Sequence, residues 1–279
     1  MRRKNLLRPI VKWVGGKRQL LDEIVPSIPT DKTYVEPFLG GGAVLLALKP
    51  KHAIINDANS ELINVYTCVR DDTDELVKRL KEHKEQNHDK GADYFYEIRA
   101  MDRNANYSKK SKIDKAARII YLNKTCFNGL YRVNSAGQFN SPYGRYKNPD
   151  IVNEVGIRAL AKYLQENDVK IFSEDYTEVL ATLNSDSFVY LDPPYMPISS
   201  SSSFTGYTEG GFNYQAQQQL KEECDKLHDK GVNFIESNSD CEEIRELYSE
   251  YKITKVKARR VVNSRADRRG EINEVLIYG

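Results

Sequence analysis

Residues 192–195 read Asp-Pro-Pro-Tyr, directly after the apolar, β-favouring run Phe188-Val189-Tyr190-Leu191. A strand that ends this way delivers a carboxylate, a rigid bend and an aromatic ring to one point at a sheet's carboxyl edge. Each proline fixes φ at roughly −65° and has no N–H to donate. The carbonyls of Asp192 and Pro193 are therefore held as acceptors in set directions. An amino group on a planar ring fits such a place: the acceptors take its two N–H bonds, and the Tyr195 ring lies on its face. The other reading of four residues alone is a proline turn in which Tyr195 only packs.

Three further stretches carry chemistry at strand ends. Glu36-Pro37-Phe38-Leu39-Gly40-Gly41-Gly42 follows a short strand and opens a helix. Glycines there let the backbone approach a ligand and adopt the dihedrals of a tight turn. Asp57 closes the next strand, Ala53-Ile54-Ile55-Asn56, where an acidic residue suits a ribose diol. No Gly-x-Gly-x-x-Gly or Gly-Lys-Ser/Thr loop is present, so a nucleoside without a pyrophosphate is expected, and S-adenosylmethionine is the candidate. Glu174-Asp175-Tyr176 adds a carboxylate and a ring at a third strand end, suited to an adenine amino group and its face. Lys12-Trp13-Val14-Gly15-Gly16-Lys17 holds the only tryptophan of the chain. Its ring can cover a sulfonium or an amino-acid moiety, and Lys17 can pair with a carboxylate. The alternative is a core tryptophan beside surface lysines.

The elements that must position these groups alternate strand and helix at both ends of the chain. Strands are expected at 33–35, 53–55, 169–172, 188–191, 232–235 and 274–277, with helices starting at Ala43 and spanning 62–85, 214–229 and 241–249. A last pair near 253–256 and 275–278 reads as an antiparallel hairpin closing a mostly parallel sheet. The expected class is thus α/β, with residues 1–67 and 166–279 forming a nucleoside-binding domain and 68–165 a smaller, mainly helical insertion. Ser199–Ser203 with Gly206, Gly210 and Gly211 has the composition of a mobile lid or a plain linker.

Composition sets outer limits. The 279 residues are 40% apolar and 29% charged, with net charge +2, which is ordinary soluble composition. No apolar run approaches the ~20 residues a membrane span needs, so no membrane partner is expected. Basic residues gather at 1–18 and at 255–269, either as phosphate-neutralising patches or as solvated surface. The four cysteines are scattered, without a Cys-x-x-Cys pair. No metal or disulfide framework is expected, and a cytoplasmic setting fits.

Taken in order, Lys-Trp-x-Gly-Gly-Lys, Glu-Pro-Phe-x-Gly-Gly-Gly, Asn-Asp, the insertion, Asp-Tyr and Asp-Pro-Pro-Tyr resemble the Dam-type, α-group DNA adenine-N6 methyltransferases that modify GATC. The likeness covers nearly the whole chain. It implies a Rossmann-like, S-adenosylmethionine-dependent catalytic domain with an inserted target-recognition domain. It further implies double-stranded DNA as partner, and cofactor contacts at Trp13, Lys17, Pro37, Phe38, Gly40, Asp57, Asp175, Tyr176 and Asp192. Catalysis falls to Asp192, Pro193, Pro194 and Tyr195. The segment Asn128–Asn134 with Phe139–Tyr146 looks like the family's DNA-reading β-hairpin. It offers Asn128, Asn134 and Arg132 for base edges, and Leu130 with Phe127 as a wedge, joined by Lys12, Pro142 and Tyr146. Departures are small: Val14 stands where Ala or Thr is frequent, and Tyr176 where Phe is common. The competing readings are an RNA or free-base methyltransferase on the same cofactor fold, and a DNA-binding regulator that has lost catalysis.

Overall fold

A computed structural model describes residues 7–197, 212–259 and 271–279. The serine- and glycine-rich stretch at 199–211, Arg2, Arg3 and Lys4 of the first basic cluster, and Arg260, Arg265, Arg268 and Arg269 of the second lie outside them. The chain divides into two compact units. The first takes the chain up to Gly16, Gly40–Lys49 and Asn59–Ser173; the second takes Lys17–Leu39, Pro50–Ala58 and Glu174–Gly279.

The strands are β1 (Thr33–Glu36), β2 (His52–Asn56), β3 (Asp168–Phe172), β4 (Ser187–Leu191), β5 (Asn233–Ser239), β6 (Lys252–Arg259) and β7 (Glu271–Tyr278). They form one seven-stranded sheet in the order β3-β2-β1-β4-β5-β7-β6. β1 pairs in parallel with β2 and β4, and β4 in parallel with β5. β7 runs antiparallel to both β5 and β6, as the expected closing hairpin requires. Every residue of β4 is buried, the mark of a central parallel strand covered on both faces. The strand order reverses between β1 and β4, and in open α/β sheets the crevice outside the carboxyl ends at such a switch is where ligands bind. Glu36-Pro37-Phe38 leaves β1 there, and Asp192 leaves β4.

Apart from β3, the strands belong to the second unit, which also holds α1 (Leu21–Ile24), α8 (Tyr176–Ala181), α9 (Tyr214–Asp229) and α10 (Glu242–Leu247). Leu220, Cys224 and Leu227 of α9 pack with Val189, Leu191 and Phe234 of the sheet. Three of the four cysteines are fully buried, and Cys241 is half-buried.

The first unit contains α2 (Ala43–Leu48), α3 (Ser60–Asp71), α4 (Thr73–Lys90), α5 (Ala92–Ala100), α6 (Lys112–Thr125) and α7 (Glu154–Glu166). α6 is its centre, buried on nearly every side and packed by α3, α4 and α5. Ser111 starts it: its Oγ accepts from the Asp114 N–H at 3.1 Å, satisfying one of the helix's unpaired first-turn donors. The continuous helix expected over 62–85 is in fact two. Asp72 leaves helical geometry (φ −129°, ψ 35°) and ends α3. Asp71, Asp72 and Thr73 are residues whose short polar side chains compete with helical hydrogen bonding, and the Thr73 hydroxyl donates to the Val69 carbonyl at 2.7 Å. The helix expected at 241–249 is likewise shorter, Glu242–Leu247.

Candidate active site and nucleic-acid interface

At the end of β4 the Asp192 carboxylate meets Lys17, with Nζ 2.7 Å from Oδ1. Lys17 sits in a short 3₁₀ turn, Lys17–Gln19, and is only 5% exposed against 20% for Asp192. An ammonium buried that far requires a counter-charge. The carboxylate that the sequence leads one to seek for Lys17 is, within the chain, that of Asp192. The same Nζ stands 4.5 Å from the centre of the Tyr195 ring, and the Tyr195 hydroxyl donates to Glu274 Oε2 on β7 at 2.8 Å. The ring's edge and face are thus both fixed.

Burial pushes the Asp192 carboxyl up from 3.8 to about 6; Lys17 opposes the rise and Glu274 adds to it. The ordinary value of ~4 expected from sequence is corrected by this enclosure. Burial, with Asp192 and Glu274 nearby, raises the Tyr195 phenol far above its usual range, so it stays a neutral donor. Lys17 thus engages Oδ1 of this carboxylate. The Pro194 carbonyl is already taken by Gln217 Nε2 at 3.0 Å.

Phe38, beyond β1, packs on Tyr176 at 5.0 Å between ring centres and edge-on to Phe212 at 6.1 Å. The Tyr176 hydroxyl is buried with no hydrogen-bond partner among the described residues, an orphan that a ligand would satisfy. Asn56, buried at the end of β2, ties this corner together. Its Nδ2 donates to the carbonyls of Pro37 and Glu174, both at 3.1 Å, and its Oδ1 accepts from the Glu174 N–H at 2.8 Å. Asp57 follows it, half-buried. Asp175 caps α8: Oδ1 accepts from the Thr177 N–H at 2.9 Å and from the Thr177 hydroxyl.

In the first unit, Trp13 lies against the glycine turn. Gly40 has φ +49°, and a Cβ there would come within 2.9 Å of Trp13 Cδ1; only glycine allows both. The other side of Trp13 stacks on Tyr131, 5.0 Å between ring centres and 26° between planes, a partner not marked by any local pattern.

Tyr131 opens the segment expected to read DNA. Its hairpin is held by isolated bridges, Val133 to Phe139 and Cys126 to Tyr143, rather than by continuous strands. Asn134 builds the turn: its Oδ1 accepts from the N–H groups of Ala136 and Gln138 at 3.1 and 2.9 Å. Arg132 is exposed and braced by Asn140, with Nε 2.6 Å from Oδ1 and a terminal nitrogen 3.2 Å from the carbonyl. Behind it, Asp102 Oδ2 accepts from the Phe139 N–H at 2.8 Å and pairs with the buried Arg118 at 2.7 Å. Asn123, buried in α6, fixes Lys12 by two main-chain hydrogen bonds of 2.8 Å, and the Lys12 ammonium stands 5.8 Å from the centre of the Tyr146 ring. Phe127 is 54% exposed and Leu130 half-buried. Between them Asn128 adopts left-handed φ 58°. The Phe127 N–H donates to the Pro142 carbonyl at 2.8 Å. Sequence reasoning missed Asn123, Asn140, Asp102 and Arg118.

The family described as "D12 class N6 adenine-specific DNA methyltransferase" matches residues 13–262. The chain belongs to this family. Among relatives of the D12 enzyme, the "Type II methyltransferase M1.LlaDCHI" of Lactococcus lactis subsp. cremoris is 43% identical, over 98% of this chain and 96% of its own. The "Type II methyltransferase M.MjaIII" of Methanocaldococcus jannaschii is 39% identical, over 97% and 98%. The "DNA adenine methylase" of Escherichia coli K12 is 35% identical, over 96% and 94%.

A D12-class methyltransferase adds a methyl group to adenine N6 in DNA, so both an amino-group site and a DNA-facing surface are required of the fold. This D12 enzyme has a candidate for each: the Asp192–Tyr195 turn at the sheet's switch point, and the Lys12, Phe127–Arg132 and Pro142–Tyr146 surface of the first unit. Among the described residues no helix is long and apolar enough to cross a membrane, and no cluster of His, Cys, Asp or Glu is arranged to hold a metal ion.

Proposed function

We propose that this methyltransferase modifies the adenine of GATC in duplex DNA with S-adenosylmethionine as donor. The observation that carries the chemistry is the Lys17–Asp192 pair beside the Tyr195 ring, at the carboxyl end of a central strand. The residues suit the cofactor: an orphaned buried hydroxyl at Tyr176 beside the Phe38 ring offers a face and a polar atom to a nucleoside, and Asp57 offers a carboxylate to its ribose. Pro37 and Asp175 belong to the same corner. Trp13 and Gly40, in the first unit, are assigned to the same ligand by their place in the motif order. S-adenosylmethionine supplies a methyl group already activated on a sulfonium.

The target adenine must leave the helix stack to be reached. Tyr195 receives its face, and Asp192 Oδ2 and the Pro193 carbonyl accept the two N6–H bonds. That arrangement draws the nitrogen lone pair out of the ring and aims it. A carboxyl near 6 is also better matched than an ordinary one to a proton released at neutral pH. Arg132 reads a guanine edge with its two-pronged donor, Lys12 the other guanine, and Phe127 with Leu130 fills the vacated stack; Asn128, Asn134, Pro142 and Tyr146 complete the surface. The competing readings fall to one assay. Tritiated S-adenosylmethionine is incubated with GATC duplexes, GATC-free duplexes and RNA. Label confined to GATC duplexes supports the proposal, label on all duplexes rejects the site assignment, and label on RNA rejects the substrate.

A further inference from the structure

Three polar side chains that touch neither acceptor atom lie wholly buried behind the Asp192–Met196 turn: Glu236 and Asn238 on β5, and Gln217 on α9, all 0% exposed. Buried polar groups are costly unless paired, and these three are paired into one run. Asn238 Nδ2 donates to Glu236 Oε1 and to Gln217 Oε1, both at 2.9 Å. Gln217 Nε2 donates to the Pro194 carbonyl at 3.0 Å. Asn238 Oδ1 accepts from the Met196 N–H at 3.2 Å, and the Ser239 hydroxyl donates to the Met196 carbonyl at 2.7 Å. The run therefore ends on two backbone groups of one short turn, and Ser239 holds a third.

The polarity of this run has no freedom. A backbone N–H only donates, so Asn238 must present its oxygen to Met196 and its nitrogen to Gln217. Gln217 must then offer its oxygen to Asn238 and its nitrogen to Pro194, whose carbonyl only accepts. Each amide orientation is dictated from the main chain. On the other side of the turn, Leu191 is fixed in the β4 ladder. Pro193 and Pro194 have no φ freedom, so few torsions remain between the two anchors. The Pro193 carbonyl and Asp192 lie among them.

We propose that Gln217, oriented by Asn238 and Glu236, is a positioning residue that aims the Pro193 carbonyl and the Asp192 carboxylate at adenine N6. This rests on the reading of that turn as the amino-group acceptor. Gln217 touches no substrate; it acts by holding the next carbonyl along.

The test uses the full chain with two substitutions. Gln217→Met keeps bulk and removes the donor. Its single-turnover rate at saturating DNA and S-adenosylmethionine should fall by roughly 10- to 100-fold, the scale of a small misplacement of reacting groups. Base extrusion, read by 2-aminopurine at the target position, and both KM values should stay within about twofold. Gln217→Glu keeps size and the Asn238 bond. Protonated, its carboxyl can still donate to the Pro194 carbonyl; ionised, it opposes one oxygen to another. Its rate relative to the unsubstituted enzyme should therefore fall as pH rises from 6 to 9. The titratable groups around it are Asp192, Lys17, Glu274 and Tyr195 on the turn's side, and Glu236, Cys224 and Tyr248 on the helix side. They are common to both proteins, so the ratio isolates the introduced carboxyl. Gln217→Glu also serves if Gln217→Met does not fold. An unchanged single-turnover rate, a rate loss matched by loss of the extrusion signal, or a pH-independent ratio overturns the proposal. Asp192→Ala, run alongside, separates the two readings. If that variant keeps its turnover, the acceptor assignment itself is wrong; if it is inactive while Gln217→Met is fully active, only the positioning role is wrong.

Discussion

The Asp192–Met196 turn and the Arg132–Asn140 hairpin are both short loops that each present one charged side chain, Asp192 and Arg132, yet they are held in opposite ways. The turn is fixed at one end by a fully buried strand and at the other by buried amides. The hairpin has one bridge, an asparagine turn and a guanidinium resting on a neighbouring amide, all near the surface. Its firm contact is at Phe139, through Asp102 and Arg118. Transferring a group requires the acceptors to be in place before the substrate arrives. Reading a base edge requires donors that face outward and can settle against DNA. The difference in support suits the two tasks proposed for these loops.

The harshest way to break this contrast is Asp192→Ala. It should lower the single-turnover rate more than about 100-fold with 2-aminopurine extrusion retained, and it should also cost stability, because Lys17 loses its buried counter-charge. Retention of more than a tenth of the rate would remove Asp192 from the chemistry. The same carboxyl sets an acid limb: the accepting form is ionised, so the rate should fall as pH drops through about 6.

The next effect tests the cost of the turn's buried support. Burial raises the Glu236 carboxyl from 4.5 to about 7, against smaller opposing hydrogen bonds from Tyr248, Asn238 and Cys224. A carboxyl raised by folding stabilises the fold at low pH, and that contribution is lost as pH rises through the folded value. Glu236→Gln should therefore gain stability relative to the unsubstituted protein progressively from about pH 4.5 to about 7 and hold that gain at higher pH. At ~1.4 kcal/mol per pKa unit the gain is on the order of 2–3 kcal/mol. Parallel urea-melt stabilities at all pH values would show that Glu236 does not titrate in this range.

At the hairpin, Arg132→Ala should cost about 1–3 kcal/mol of discrimination at a single base pair while leaving the rate on GATC's other near-matches little altered. Methylation of GATC and of duplexes changed at each position, at two salt concentrations, decides it. Equal loss on every duplex would make Arg132 a phosphate contact. The smallest effect concerns Asp175, which caps α8 whatever else it does. Asp175→Ala should cost ~1 kcal/mol of stability, and Asp175→Asn almost none. If Asp175→Asn nevertheless weakens calorimetric binding of S-adenosylhomocysteine, the carboxylate also serves the nucleoside; unchanged binding leaves it a cap alone.

What the sequence made legible was whatever lies close together along it. The run Phe188–Tyr195 shows its own strand and its own bend, and the glycines at 40–42 and Asp57 announce their strand ends. The antiparallel closure was visible because two apolar alternations flank a polar stretch. Lys17 and Asp192, by contrast, are 175 positions apart, and nothing local says that they meet. Gln217 and Asn238 were opaque for a different reason: a glutamine near the start of a polar helix looks solvated until the fold buries it. The helix break at Asp72 was overlooked because apolar spacing continues across it, although the Asp-Asp-Thr run carries the signal.

The placement of β7 between β5 and β6 has a consequence for biosynthesis. β7 is made after both its neighbours, so β5 keeps an unpaired edge and β6, which pairs in the sheet with β7 alone, has no partner until β7 is made. Unpaired edges invite association with other chains, and domains begin to fold from their amino-terminal parts during synthesis. The nascent protein thus carries an unpaired β5 edge until residues 271–278 are made. Glu274, which holds the Tyr195 hydroxyl, arrives with that strand. Fixing of the Tyr195 ring and covering of the β5 edge therefore both wait on the same strand.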